Sequence, residues 1–296
     1  MEIVGTFESE SLTGTAGNDT IFGNGGDDQL FTGGGSDELY GGAGNDYLRS
    51  DQSGGTTYMS GGQGNDTLVA IFRYDGFDRL FGDAGDDEIV FSRFSNGVGF
   101  GGSGNDVLRA EVSADAILHG DSGNDIISFA TRGGGGTAFG DAGNDTLTGA
   151  EFNADILDGG AGDDSIDGGG GADRLIGGNG RDTIWNDGDA HVDGGAGDDQ
   201  IRSGAGSDRL LGGAGRDTFI FGLLRVPSDI GVDTIRDFSV RHDQLRFEAI
   251  EESQVSINEN AAGHALISVD YGLGIKQIIL RGVDASSLTV GDFVFA

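Results

Sequence analysis

A nine-residue unit, G-G-x-G-x-D-x-U-x with U large and apolar, recurs along most of the chain and constrains its fold more than any other feature. It is plainest between Gly159 and Ile220. There GGAGDDSID, GGGGADRLI and GGNGRDTIW are followed, after an eight-residue break, by GGAGDDQIR, SGAGSDRLL and GGAGRDTFI. Runs of glycine let the backbone take positive φ and turn tightly with its carbonyls directed inward. The x-U-x that follows is a short strand with a single inward side chain. Nine residues therefore make half a coil and eighteen a full one.

Fifteen units are clean, with Gly at position four, Asp at position six and an apolar residue at position eight. They begin at residues 14, 23, 32, 41, 61, 82, 101, 120, 140, 159, 168, 177, 194, 203 and 212. Between 41 and 159 the clean units lie 19 to 21 residues apart, a full coil plus one to three residues. Each is followed by a half-coil that has lost its glycine turn but still ends as a short strand, as in Asp78-Arg79-Leu80-Phe81, Asp115-Ala116-Ile117-Leu118 and Asp155-Ile156-Leu157. Assigning alternate half-coils to opposite edges leaves one edge clean over eleven coils, from the unit at 23 to the unit at 212. At roughly 4.8 Å per coil this row would run about 48 Å. The opposite edge is clean only at 14, 32, 168 and 203. The position-eight residues, from Ile21, Leu30, Leu39 and Leu48 to Phe219, are expected to be the core.

A turn that offers several carbonyls and one carboxylate suits a hard cation such as calcium, which takes six to eight oxygens. One turn supplies about half of such a shell and the next turn on the same edge the rest. About ten ions are expected along the intact row and few opposite. The composition agrees: 50 Asp and Glu against 17 Lys and Arg give a formal charge of −33. That balance argues against nucleic acid, whose phosphates it would repel. With 60 Gly but strict phase between Gly, Asp and the apolar residue, the chain does not read as low-complexity disorder. It has no Cys, so no disulfide can brace it, and calcium could do that work instead. No apolar run approaches 18 residues, so no membrane span is expected. The start, MEIVGTFESES, has neither a basic nor an apolar stretch of the secretory-signal kind.

From Thr218 the period stops. Apolar runs at 218–221, 233–235, 245–247, 255–257, 265–269, 277–280 and 293–295, separated by turn residues, suggest short antiparallel strands that cap the open end of the coil. The expected fold is all-β: a right-handed parallel β-roll of nonapeptide repeats followed by a small C-terminal β cap. Residues 1–13 read as a degenerate N-terminal half-coil that keeps Leu12 inward, 14–220 as the roll and 221–296 as the cap.

The repeats resemble RTX parallel β-rolls, whose calcium-binding nonapeptide has this form. The tail, with GRDTFIFG, DTIRDFS, DQLRF and ILRGVDASSLTVGDFVFA, resembles the C-terminal part of serralysin-type proteases and of mannuronan-epimerase R-modules. The resemblance implies a calcium-loaded roll, secreted unfolded by type I secretion machinery through an uncleaved signal in the last fifty or so residues, and extracellular or cell-surface localisation. It implies as calcium ligands the position-six carboxylates Asp28, Asp46, Asp66, Asp87, Asp106, Asp125, Asp145, Asp164, Asp182, Asp199 and Asp217 on the intact edge, with Asp19 and Asp37 opposite. The implied carbonyl ligands are those of Gly23, Gly26, Gly41, Gly42, Gly44, Gly61, Gly62, Gly64, Gly82, Gly85, Gly101, Gly102, Gly104, Gly120, Gly123, Gly140 and Gly143. They continue with Gly159, Gly160, Gly162, Gly177, Gly178, Gly180, Gly194, Gly195, Gly197, Gly213 and Gly215. Asp83, Asp121 and Asp141 replace Gly at position two, where a carbonyl ligand survives the change. Asp158 and Asp193 lie outside the pattern.

The protease relatives carry H-E-x-x-H; here His119, His191, His242 and His264 are scattered, and there is neither a G-x-S-x-G elbow nor a Cys nucleophile. No catalytic role is therefore expected of this chain. Two uses remain beside calcium-dependent folding. One is an adhesion module whose altered edge presents Phe72, Arg73, Tyr74, Arg93, Phe94, Arg109, Phe129, Arg132 and Phe152 to an anionic polysaccharide or cell-surface glycan. The other is an accessory to a separate enzyme.

Overall fold

The structure, a computed structural model, describes residues 1–50, 55–71, 76–92, 96–111, 116–130, 134–222, 231–272 and 274–296. Apart from three single-turn helices, Glu252–Gln254, Ala285–Ser287 and Val290–Asp292, its regular elements are all strands. They form two compact units, Met1–Ala150 and Glu151–Ala296.

In the first unit, successive strands alternate between two parallel sheets, so the chain winds as a solenoid. The apolar residue of each half-coil stacks on its counterpart one coil away. Leu12, Leu30, Leu48, Leu68, Ile89, Leu108, Ile127 and Leu147 are in register down one sheet. Ile21, Leu39, Met59, Leu80, Gly99, Leu118 and Ala138 are in register down the other. All fifteen position-eight residues of the clean units have no exposed surface, which makes them the core that the repeat predicts.

Gly99 breaks the second ladder, and Phe91 repairs it. A side chain at Gly97 or Gly99 would meet the Phe91 ring at 2.6 or 3.0 Å, and Phe91 is fully buried. Phe129 does the same over Gly136. Both rings stand at the first position of an altered half-coil, in register with Ser50, Ala70 and Ala110. The altered edge thus fills with side chains what the clean turns leave open.

On the outer face of the same unit, Phe22, Tyr40, Tyr58, Phe81, Phe100, His119 and Phe139 form a continuous ladder of half-buried rings, with centroids 4.6 to 5.5 Å apart. Such pairs contribute about 0.5–1.5 kcal/mol each beyond buried area. Ring contact with the coils above and below adds side-chain cohesion to the backbone pairing.

In the second unit the solenoid outlasts the glycine repeat. Ile166, Ile184, Ile201, Phe219, Leu245 and Phe293 are in register down one parallel sheet. Leu157, Leu175, Val192, Leu210, Ile235 and Leu280 are in register down the other. The strands Val232–Ile235, Gln244–Phe247 and Phe293–Phe295 were expected to be antiparallel cap strands; they continue the coil in parallel instead. The reason is that the Asp-x-apolar triplets Asp233-Thr234-Ile235 and Asp243-Gln244-Leu245 persist after the glycines are gone. Among the described residues, antiparallel pairing is confined to Val255–Glu259, Ala265–Asp270 and Ile275–Leu280, which finish one sheet.

Because each inward residue touches mainly its own coil and its neighbours, Leu108→Ala should cost about 2–5 kcal/mol. Phe91→Ala should cost about 3–5 kcal/mol, since the glycines around it cannot refill the space. Urea unfolding in saturating calcium would measure both losses.

Candidate metal centres along the turns

Along the intact row the backbone of each clean turn alternates in hand. In the intact row, position four is a glycine with φ between 93° and 150° in every unit. Position two is also left-handed: it is Gly in most units, and Asn24, Asp83, Asp121 and Asp141 where it is not, at φ 67° to 74°. Asn and Asp are the side chains that best tolerate that region, which is why these replacements leave the turn intact.

The thirteen aspartates expected as ligands are all at most 3% exposed. They form a ladder of charge-assisted hydrogen bonds. In the first unit the amide of Asp28 donates to Asp46 Oδ1, that of Asp46 to Asp66 and that of Asp66 to Asp87, at 2.7–2.8 Å. Asp87 to Asp106, Asp106 to Asp125 and Asp125 to Asp145 follow at 2.7–2.8 Å. In the second unit the ladder runs Asp164, Asp182, Asp199, Asp217 at 2.9–3.1 Å.

Each carboxylate thus spends one oxygen on the backbone of the preceding coil. The other is buried: Oδ2 of Asp28, Asp37, Asp46, Asp66, Asp87, Asp106, Asp125, Asp182, Asp199 and Asp217 has no hydrogen-bond partner. A buried charged oxygen left so costs several kcal/mol. In the main row each of these Oδ2 atoms faces the first glycine of its own turn, and at most of these turns a carbonyl oxygen of the next coil converges there. A methyl group placed on Gly23 would lie 2.6 Å from the Gly41 carbonyl oxygen, and one on Gly120 2.8 Å from that of Gly140. The same meeting occurs at Gly159 and Gly194 in the second unit. The position-four carbonyls of Gly26, Gly44, Gly64, Gly85, Gly104 and Gly123 stack beneath the next glycine of the row in the same way. No three His, Asp or Glu side chains gather as a cluster among the described residues. The converging oxygens are mainly peptide carbonyls, with a carboxylate in each turn. That donor set fits a hard divalent cation such as calcium.

The opposite edge differs. Oδ2 of Asp19 accepts from the Thr15 amide at 2.5 Å and hydroxyl at 2.8 Å, so hydrogen bonds close this turn. The Asp37 carboxylate keeps a bare oxygen and accepts from the Asp19 amide at 2.8 Å. Further aspartates occupy ladder positions on one edge or the other without a full glycine turn or a clean neighbour. Asp243 extends the main row, accepting from the Asp217 amide at 3.1 Å. Asp78, Asp173, Asp208 and Asp233 accept from the amides of Thr57, Asp155, Ala190 and Asp208 on the second edge. Asp173 and Asp208 belong to the clean units at 168 and 203, whereas the signal of Asp78, Asp233 and Asp243 in the sequence is the Asp-x-apolar triplet alone. Of the proposed Arg and aromatic stripe, Phe72, Arg73, Tyr74, Arg93, Phe94 and Arg132 lie outside the described residues. Arg109 is not on the altered edge: it sits in strand Val107–Ala110, paired with Glu88 at 2.6 Å. Phe129 is buried, and Phe152 is exposed.

A family model described as the RTX calcium-binding nonapeptide repeat matches residues 4–39, 13–48, 25–56, 51–70, 74–98, 95–127, 132–151, 150–184 and 186–219. The chain belongs to this family. Among solved structures, it is similar to the AlgE6R3 subunit of the Azotobacter vinelandii mannuronan C5-epimerase, at 28% identity and a TM-score of 0.31, over 49% of this chain and 80% of that one. It is also similar to the extracellular lipase LipA of Serratia marcescens, at 16% identity and a TM-score of 0.22, over 100% of this chain and 40% of that one. No curated protein matches the chain.

Burial, reinforced by neighbouring carboxylates, lifts most of the row aspartates far above the usual carboxylate range, although the ladder amides oppose it. Asp46, Asp66, Asp106, Asp182, Asp199 and Asp217 rise to about 6. Asp87 and Asp125 rise to about 7. A carboxyl whose pKa is raised on folding holds protons more tightly when folded. The protons' contribution is present at acid pH and is lost as pH rises through 6 to 7. Metal-free protein should therefore gain β signal when a chelator-containing solution is taken from pH 8 to pH 5, as circular dichroism would show. At pH 6, calcium should displace these protons, so calorimetric heats should vary with the ionisation enthalpy of the buffer.

Proposed function

We propose that the chain is a calcium-dependent folding module, exported by type I secretion machinery in an unfolded state and folded outside the cell, with no catalytic role of its own. The observation that carries this reading is the bare, buried carboxylate oxygen repeated in turn after turn. In this reading the position-six carboxylates and the glycine carbonyls of the intact row hold about ten calcium ions, and the opposite edge few. Residues 14–220 are the glycine-repeat part of the roll; 221–296 carry the parallel winding to its end, close it with the terminal hairpin and contain the secretion signal. Among the described residues no helix is long and apolar enough to cross a membrane.

The arithmetic favours a switch. With Kd roughly 10⁻⁴ M and external calcium roughly 10⁻³ M, each site stabilises the fold by about 1.4 kcal/mol. Ten sites give on the order of 14 kcal/mol, comparable to the whole stability of a domain. In a sub-micromolar cytosol the same sites contribute almost nothing.

Calcium titration of chelated protein, read by circular dichroism and calorimetry, tests the reading. A cooperative gain of β structure with about ten ions bound is expected, and Asp106→Ala should lose two ions, because each turn serves the ion on either side. A fully folded metal-free protein at neutral pH, or an unchanged ion count in Asp106→Ala, would contradict it.

A second reading, a module for an anionic polysaccharide, has one observation in its favour. Arg174, His191 and Arg209 are in register on the outer face of a sheet, exposed, and beside cavities of about 260 and 170 Å³. Two aligned arginines on a chain of charge −33 are a selective place for a polyanion. Retention of the protein in a gel containing polyuronate should fall in an Arg174→Ala and Arg209→Ala double variant while calcium binding stays unchanged.

A further inference from the structure

The second edge of the Glu151–Ala296 unit holds a cation of its own. Lys276, in strand Ile275–Leu280, has no exposed surface. Its Nζ lies 2.9 Å from Asp233 Oδ2 and donates to the Gly204 carbonyl at 2.6 Å. Neither partner is incidental. Asp208 is the position-six carboxylate of the unit SGAGSDRLL, and Gly204 is its position two. Asp233 is the corresponding carboxylate one coil on: the amide of Ala190 donates to Asp208 Oδ1 at 2.9 Å and that of Asp208 to Asp233 Oδ1 at 3.1 Å, the pattern of the main row. The ammonium therefore touches the two kinds of oxygen, ladder carboxylate and turn carbonyl, that converge bare in the main row.

The rest of this turn is adapted to the same end. Position one is Ser203 rather than Gly, and its hydroxyl lies 2.6 Å from Asp208 Oδ2 and 2.7 Å from Asp233 Oδ2. Asp182, Asp199 and Asp217 of the main row each keep an oxygen without a partner, whereas Asp208 and Asp233 keep none. The cation also arrives with the end of the fold. Ile275–Leu280 pairs with Val232–Ile235 in parallel and with Ala265–Asp270 antiparallel, so the ammonium reaches the turn only when this last hairpin has docked.

We propose that Lys276 is a tethered substitute for calcium, closing the second edge at a turn that would otherwise bind a metal ion, and fastening the terminal strands to the solenoid without one. The proposal rests on the calcium reading above. Its test compares wild type, Lys276→Met and a Lys276→Met/Asp233→Asn double variant, all full length. Bound ions are counted by atomic absorption after dialysis against saturating calcium, and amide exchange is followed in 265–280. Lys276→Met should bind one ion more than wild type and should protect these amides only at higher calcium than wild type requires. The double variant should return to the wild-type count. An unchanged count in a folded Lys276→Met, or a terminal hairpin that stays unprotected in saturating calcium, would overturn the proposal and reduce Lys276 to an ordinary buried ion pair. A wild type that binds no calcium would instead remove the calcium reading itself.

Discussion

Stacking one coil on the next forces a buried carboxylate above another buried carboxylate, and the rest of the structure answers that constraint. The ladder amides satisfy one oxygen of each Asp and hold the side chain rigidly across the turn. The second oxygen is left in a closed space beside carbonyls, where bare negative charge is not tolerable. Either a proton or a cation must join it. The raised carboxyl pKa values and the fit to a divalent ion are two expressions of this one electrostatic need. The aliphatic ladders supply a core, but a narrow one, since each half-coil contributes a single main inward side chain.

Much of this was legible in the residues themselves. The strict phase of Gly, Asp and apolar side chains specifies the turn, the ladder and the core together, so Asp28 to Asp217 and Leu30 to Phe219 could be placed before any coordinates. What the motif concealed has a common cause. A search for glycine turns finds the corners lined by carbonyls, whereas the coil itself needs only an aspartate to hold the corner and an apolar residue to fill the centre. Asp78, Asp233 and Asp243 meet the second requirement without the first, so their ladder positions emerge only from register. For the same reason the strands at 232–235 and 244–247 extend the parallel winding instead of reversing it.

Two features had no local signal. The aromatic ladder from Phe22 to Phe139 is carried by residues 18 to 23 positions apart, sometimes diagonal to the strand register, and no fixed period reveals it. Lys276 meets the Gly204 carbonyl across 72 residues. Each turn also receives a different answer to its charge or its volume: bare oxygens at Asp106, a threonine hydroxyl and amide at Asp19, a buried phenyl ring at residues 91 and 129, an ammonium at Asp233.

The hydrogen bonds that link successive aspartates of the main row from Asp28 to Asp217 stay between 2.7 and 3.1 Å while the chain between them varies from 17 to 21 residues. The variation falls almost wholly on the opposite edge. Where a phenyl ring rather than a buried carboxylate facing turn carbonyls fills the corner, nothing ties the count of residues there to the spacing of charged groups. The solenoid thus has a metered side and an unmetered one, and extra sequence can enter the second without disturbing the first. Length changes, insertions and new surface chemistry have a place to accumulate, coil by coil, while the spacing of the charged row is preserved.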